Sequence, residues 1–166
     1  MTLHGKKGIT LVELIVSVAL TAVIITAACG ALYAAAHSFR SGSASAFNQQ
    51  RAALAESYLQ RYAATATAVS SESESDKNGV FFSVRNNAVQ ITRQTVSDSG
   101  KTQANEASID GISGIEVSVS AGVLHYTIVS QDGSYRLTGG IALNNDASDS
   151  LAPFTVRGDS VLFLKL

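Results

Sequence analysis

The chain has 166 residues, and its 12 lysines and arginines against 13 aspartates and glutamates give a net charge of −1, which offers no basic surface for nucleic acid. This length accommodates one modest domain beside a membrane segment, not two. A lone cysteine, Cys29, excludes an intrachain disulfide, so an exported domain must hold together by packing alone.

The first predicted element begins behind two lysines, Lys6 and Lys7. From Ile9 to Ala36 run 28 mostly apolar positions, more than the ~20 that cross a bilayer core as a helix. No basic residue follows until Arg40, so the positive-inside bias keeps the N-terminus cytoplasmic and sends the rest outward. Glu13 is the one formal charge in the run. A carboxylate inside a membrane helix costs about 2.5–3.5 kcal/mol on insertion scales, which makes Glu13 a functional candidate.

Three processing fates compete for this segment. An ordinary secretory signal has an apolar core of about 7–15 residues before small residues such as Ala34-Ala35-Ala36, but this core is about twice too long. A lipoprotein signal would use Ala27-Ala28-Cys29-Gly30, with Cys29 acylated, although Thr26 stands where leucine is usual. Otherwise Cys29 is a small apolar residue in a membrane helix. Neither fate gives Glu13 a purpose.

The third fate accounts for all of these features. The stretch Lys7-Gly8-Ile9-Thr10-Leu11-Val12-Glu13-Leu14-Ile15-Val16-Ser17 resembles the processing site of type IV pilins and pseudopilins. The resemblance implies cleavage between Gly8 and Ile9 by a prepilin peptidase/methyltransferase, N-methylation of Ile9, and a filament-assembly role for Glu13. It also implies other pilin subunits, an inner-membrane assembly platform and, indirectly, its ATPase as partners. Two departures are Ile9 as first mature residue and Gly30 where a proline often kinks the helix, and the second tilts the likeness toward a minor pilin or pseudopilin. Loss of Lys6 and Lys7 from the 12 basic residues would leave ten against 13 acidic ones, a slightly acidic mature chain.

In the mature chain the Ile9 amine stands four residues from Glu13, so the two charges are neighbours on one helix or face each other between stacked helices. Thr10, Ser17, Thr21, Thr26 and the alanines suit close helix contacts. Helix formers continue past the weak spot Ser41-Gly42-Ser43, and an uninterrupted helix from Ile9 to Ala66 would measure about 87 Å. Its outer part is expected to be amphipathic, with Phe47, Leu54, Tyr58, Tyr62 and Val69 on one stripe and Gln49, Gln50, Glu56 and Gln60 away from it. Arg51 falls within the stripe and is expected to snorkel to its edge, the alternative being contact with a neighbouring subunit.

Residues 70–79 form a polar break rich in serine and acids. From Val80 the period becomes two: Val80, Phe82 and Val84, a turn at Asn86-Asn87, then Val89 and Ile91. Residues 97–111 read as a polar connection. Strands follow at Ile115–Val119, Leu124–Ile128 and Tyr135–Leu137, with turns at Ala121-Gly122 and Gln131-Asp132-Gly133. Gly139-Gly140 suggests a bulge or break before Ile141 and Leu143, and Ser160–Leu166 a buried final strand. The polar set Asn144, Asp146, Ser148 and Asp149 lacks the pattern of a calcium loop and reads as a surface turn.

The expected organisation is a leader at 1–8, a transmembrane or filament-core helix at 9–36, its amphipathic continuation at 37–69 and a β-rich exported domain at 70–166. The expected fold class is α+β, a long N-terminal helix packed on an antiparallel β-sheet, type IV pilin-like. His4, His37 and His125 have no metal spacing, and neither a nucleophile elbow nor a phosphate loop is present. No cofactor or catalytic residue is expected, and the chain does not read as an enzyme. The reading is a subunit of a type IV pilus, type II secretion or competence-type filament, first a single-pass membrane protein. The alternative is a membrane-tethered or lipid-anchored surface binding module, an adhesin or sensor.

Overall fold

A computed structural model describes residues 10–71, 77–98, 100–143, 151–158 and 160–166. The chain forms two compact units, Met1–Ser43 and Ala44–Leu166. One helix, α1 (Leu11–Ala63), runs from the first into the second without a break at Gly30 or Gly42.

In the first unit every described side chain from Thr10 to Gly42 is exposed. The helix is long and apolar enough to cross a membrane, with a mean hydropathy of 2.4 over its most apolar 18 residues. Its polar side chains turn inward on the backbone: Ser17 Oγ donates to the Leu14 carbonyl (2.9 Å), Thr21 Oγ1 to Ser17 (2.7 Å) and Thr26 Oγ1 to Ala22 (2.8 Å). These hydroxyls therefore ask nothing of hydrocarbon around them.

The second unit begins with the outer part of α1, whose buried face is Ala52, Ala55, Leu59, Tyr62 and Ala63. Spacings of three and four keep these on one side, and the alanines allow the sheets to approach closely. This differs from the expected stripe. Phe47 and Leu54 are exposed, whereas Glu56 is half-buried, because residue size misleads where the packed face is lined by alanine. The helix also ends earlier than Ala66. Thr65 and Ala66 N–H groups donate to carbonyls only three residues back, tightening the last turn. The Thr67 N–H then donates to the Lys165 carbonyl (2.8 Å), handing the chain to a sheet.

Nine strands follow among the described residues: β1 (Ala68–Ser70), β2 (Gly79–Arg85), β3 (Ala88–Ser97), β4 (Gly100–Asp110), β5 (Ile112–Ser120), β6 (Val123–Ser130), β7 (Arg136–Ala142), β8 (Leu151–Val156) and β9 (Val161–Lys165). They make two sheets rather than one meander, ordered β1-β9-β2-β3-β4 and β7-β6-β5-β8. Every pairing is antiparallel. The long apolar helix packed on antiparallel sheets makes the architecture α+β and pilin-like.

The expected turns form. Asn86 and Asn87 take φ of 53° and 58° between β2 and β3, the left-handed pair that a two-residue hairpin requires. Residues 97–111, expected as a connection, instead contain β4, which pairs with β3 from Ala88↔Asp110 to Ser97↔Gly100. This strand is exposed along most of its length and lies at the sheet edge, so it carries no apolar alternation; the ladder holds it. Gly139 and Gly140 lie inside β7 and not at a break. The polar set from Asn144 to Asp149 lies outside the described residues.

One core joins the helix and both sheets. Leu59 and Ala63 meet Phe82, Ile91, Leu162 and Leu164 of the first sheet and Ile115, Leu124, Ile128 and Val156 of the second. β9 is buried as expected. On the opposite face of the first sheet Phe81 stacks on Phe163, ring centroids 4.7 Å apart, with the Phe163 ring filling the space beside Gly79.

Candidate functional site

Of the residues singled out for processing and assembly, Glu13 stands in the first turn of α1. Gly8 and Ile9 lie outside the described residues. Thr10 is the helix N-cap: its Oγ1 accepts from the Glu13 N–H (3.3 Å), and its carbonyl accepts from the Leu14 N–H (3.2 Å). Thr10 and Glu13 thus have the spacing of a capping box. A carboxylate in the first turn also meets the positive end of the helix dipole. Glu13 is exposed in this first turn, where it faces whatever surrounds the helix. Beside its spacing from Gly8, Glu13 thus also has a place in the helix cap, a signal present in the Thr10-Leu11-Val12-Glu13 pattern itself.

Cys29 and His37 are exposed on α1, and His125 is exposed on β6. The structure brings none of them to Glu13.

Three polar ties hold the outer part of α1 to the sheets, and none was expected from the sequence. The Tyr62 hydroxyl donates to the Glu106 carboxylate of β4, and Arg93 on β3 approaches the same carboxylate (3.8 Å). The Arg61 guanidinium lies over the Tyr62 ring, 5.5 Å from its centre. The second tie reverses the roles: Tyr126 of β6 donates its hydroxyl to the helix carboxylate Glu56. Burial raises both phenols above the usual tyrosine value, reinforced by the neighbouring carboxylate; Tyr126 is pushed up to about 12. Each phenol therefore stays protonated and able to donate.

The third tie is Asn48, whose Nδ2 donates to Asp132 Oδ1 (3.3 Å) and Oδ2 (3.2 Å) in the turn between β6 and β7. Asp132 also accepts from Ser130 Oγ (2.6 Å), Ser134 N (3.1 Å) and Ser134 Oγ (2.9 Å). Hydroxyl donation from Ser130 and Ser134 is the main reason its carboxyl falls to about 2. The exposed Arg51 side chain lies across Gly111, where the chain passes from the first sheet to the second with a φ of 81°. A side chain at 111 would meet both backbone strain and the arginine.

The description "Prokaryotic N-terminal methylation motif" matches residues 3–28. No curated protein sequence matches the chain, and no solved structure does. The matched stretch is the type IV prepilin signature, and it leads directly into the apolar helix described above. The chain thus carries the type IV prepilin signature at its start, with an α+β domain behind it.

Proposed function

We propose that the protein is a minor pilin or pseudopilin, a structural subunit of a pilus, secretion or competence-type filament. The observation that carries this reading is the coincidence of the signature at 3–28 with an exposed, membrane-length helix whose first turn holds Glu13. In this reading residues 1–8 are the leader, 9–36 the membrane and later filament-core segment, 37–69 its continuation and 70–166 the exported domain. A prepilin peptidase/methyltransferase hydrolyses the Gly8–Ile9 bond and methylates the new amine of Ile9. That amine and the Glu13 carboxylate attract strongly in a low-dielectric setting, either within one helix or between stacked subunits. Pairing offsets the cost of a buried carboxylate and fixes the axial register of neighbouring helices.

The segment 9–36 first spans the cell membrane with the N-terminus cytoplasmic. Assembly then moves it among other pilin subunits through an inner-membrane platform and, indirectly, its ATPase. The test is the intact and N-terminal peptide mass of the protein from native membranes. A chain starting at N-methylated Ile9 is the expected result. A chain starting at lipid-modified Cys29 would replace the filament subunit with a lipid-anchored surface module.

A further inference from the structure

The edge strand β4 carries one residue more than its ladder needs. Ile91 pairs with Ala107 and Thr92 with Asn105, so Glu106 stands opposite no residue of β3. Such a bulge re-aims a side chain that regular alternation would send elsewhere. Ala107 packs against the core, and beside it the Glu106 carboxylate accepts from the Tyr62 hydroxyl of α1, with Arg93 3.8 Å away.

Burial does not fix the position of the strand beyond this point. From Gly100 to Asn105 every residue is exposed. A one-residue slip is normally resisted because it carries an apolar set to the solvent face; here it carries none. Slipping residues 100–105 by one absorbs the bulge. Glu106 then takes the place of Asn105 opposite Thr92, Asn105 faces Arg93 and Gln103 faces Thr95. The connection from β3 lengthens by one residue to include Gly100, whose φ of 124° is already a conformation that favours glycine. A three-residue connection is itself a common hairpin loop. What holds the observed register is therefore polar: the Tyr62 and Arg93 contacts of Glu106, and the hydrogen bond from Gln103 Nε2 to Gln94 Oε1 (3.0 Å).

We propose that Glu106 is a register lock, through which the last turns of α1 select between two registers of β4. With the lock closed, Lys101, Gln103 and Asn105 share one face of the edge strand, and Thr102 and Ala104 share the other. The slip exchanges the two sets. An edge strand is where another chain adds to a sheet, so the helix decides which side chains an incoming strand meets. The inference is independent of the filament reading, since it involves only α1, β3 and β4.

The test is disulfide trapping in the detergent-solubilised full chain, with Cys29→Ala so that only the introduced thiols react. Thr95→Cys with Thr102→Cys joins residues paired in the observed register, and Thr95→Cys with Gln103→Cys joins residues paired after the slip. All three positions are exposed. Oxidation by copper–phenanthroline, read from non-reduced peptide masses within one chain, is expected to favour the first pair. Tyr62→Phe removes the donor of the lock, and the yield of the second pair relative to the first should rise about tenfold or more, the effect of losing one hydrogen bond to a charged group. If Tyr62→Phe unfolds the chain, Glu106→Gln, which keeps the volume, is read in the same way. Deletion of Glu106 removes the residue that the slip needs, so in the Tyr62→Phe background it should restore preference for the first pair.

Equal yields of the two pairs in the otherwise unaltered chain overturn the proposal. A ratio unchanged by both Tyr62→Phe and Glu106→Gln overturns it too, as does a rise that survives deletion of Glu106. Denaturant midpoints are measured on each variant before oxidation. A rise found only where the midpoint has collapsed is unfolding and not a slip, and it also overturns the lock.

Discussion

The Tyr126 hydroxyl, at the centre of the second sheet, donates to Glu56 on the helix while its ring occupies the space beside Gly139 of the next strand. One phenol thus fastens the helix to the sheet and requires a residue without a side chain directly opposite it on the neighbouring strand. Removing the hydroxyl by Tyr126→Phe leaves the half-buried Glu56 carboxylate without this donor. The expected cost is about 1.5–3 kcal/mol, the range for a hydrogen bond to a charged group. A double-mutant cycle with Glu56→Gln, read by denaturant unfolding, measures the coupling; additive losses would refute the tie.

The same phenol predicts a stability limit at alkaline pH. Its ordinary value of 10 is raised to about 12 in the folded chain, so the unfolded chain releases this proton first. The contribution is fully present below pH 10 and disappears as pH rises through about 12. Unfolding midpoints measured across that window should fall for the wild type, and Tyr126→Phe should flatten part of the fall. Tyr62, shifted in the same direction, adds to the fall.

Asp132 predicts the opposite edge. Its carboxyl falls from an ordinary 3.8 to about 2, so the unfolded chain takes up this proton first as the solution is acidified. The stabilising contribution is present above pH 4 and is lost as pH falls through about 2. Because the group is exposed, the effect is small. Asp132→Asn should remove that part of the acid-side slope between pH 4 and 2 in a thermal unfolding series.

Gly139→Ala tests the packing half of the Tyr126 arrangement. A methyl group there meets the phenol directly, so the ring must leave its place or the strand must shift. A cost of about 1–3 kcal/mol is expected, typical of overpacking. Combined with Tyr126→Ala, the Gly139→Ala cost should largely vanish; an unchanged cost would assign it to the backbone.

For Glu13, Glu13→Ala should leave membrane insertion intact, because removal of a charge favours insertion. Incorporation into filaments should drop, measured as the ratio of sheared to membrane-bound protein. Glu13→Gln retains a side chain able to cap the helix, so equal loss in both variants would point to charge as the requirement, and normal incorporation of both would sink the assembly role.

The sequence revealed the fold unevenly, for physical reasons. The membrane-length run, the hairpin at Asn86-Asn87 and β9 were legible because length, left-handed turn residues and continuous apolarity are local signals. β4 was not, since an exposed edge strand such as Gly100–Asp110 needs no buried face and shows no alternation. The outer helix face was misread because Ala52, Ala55 and Ala63 bury against the sheets while the larger Phe47 and Leu54 stay exposed. The ties from Glu56 and Tyr62 pair residues dozens of positions apart, and nothing in a linear pattern marks such partners.

The inward turn of Ser17, Thr21 and Thr26 onto their own helix has a consequence for passage between surroundings. A helix that needs no outside partner for these hydroxyls presents hydrocarbon and neighbouring protein with the same inventory of satisfied groups. Exchange of one environment for the other then requires no hydroxyl to find a new partner on the way. Under the proposed filament reading, Glu13 is the one formal charge between Thr10 and Ala36 whose surroundings such an exchange would change.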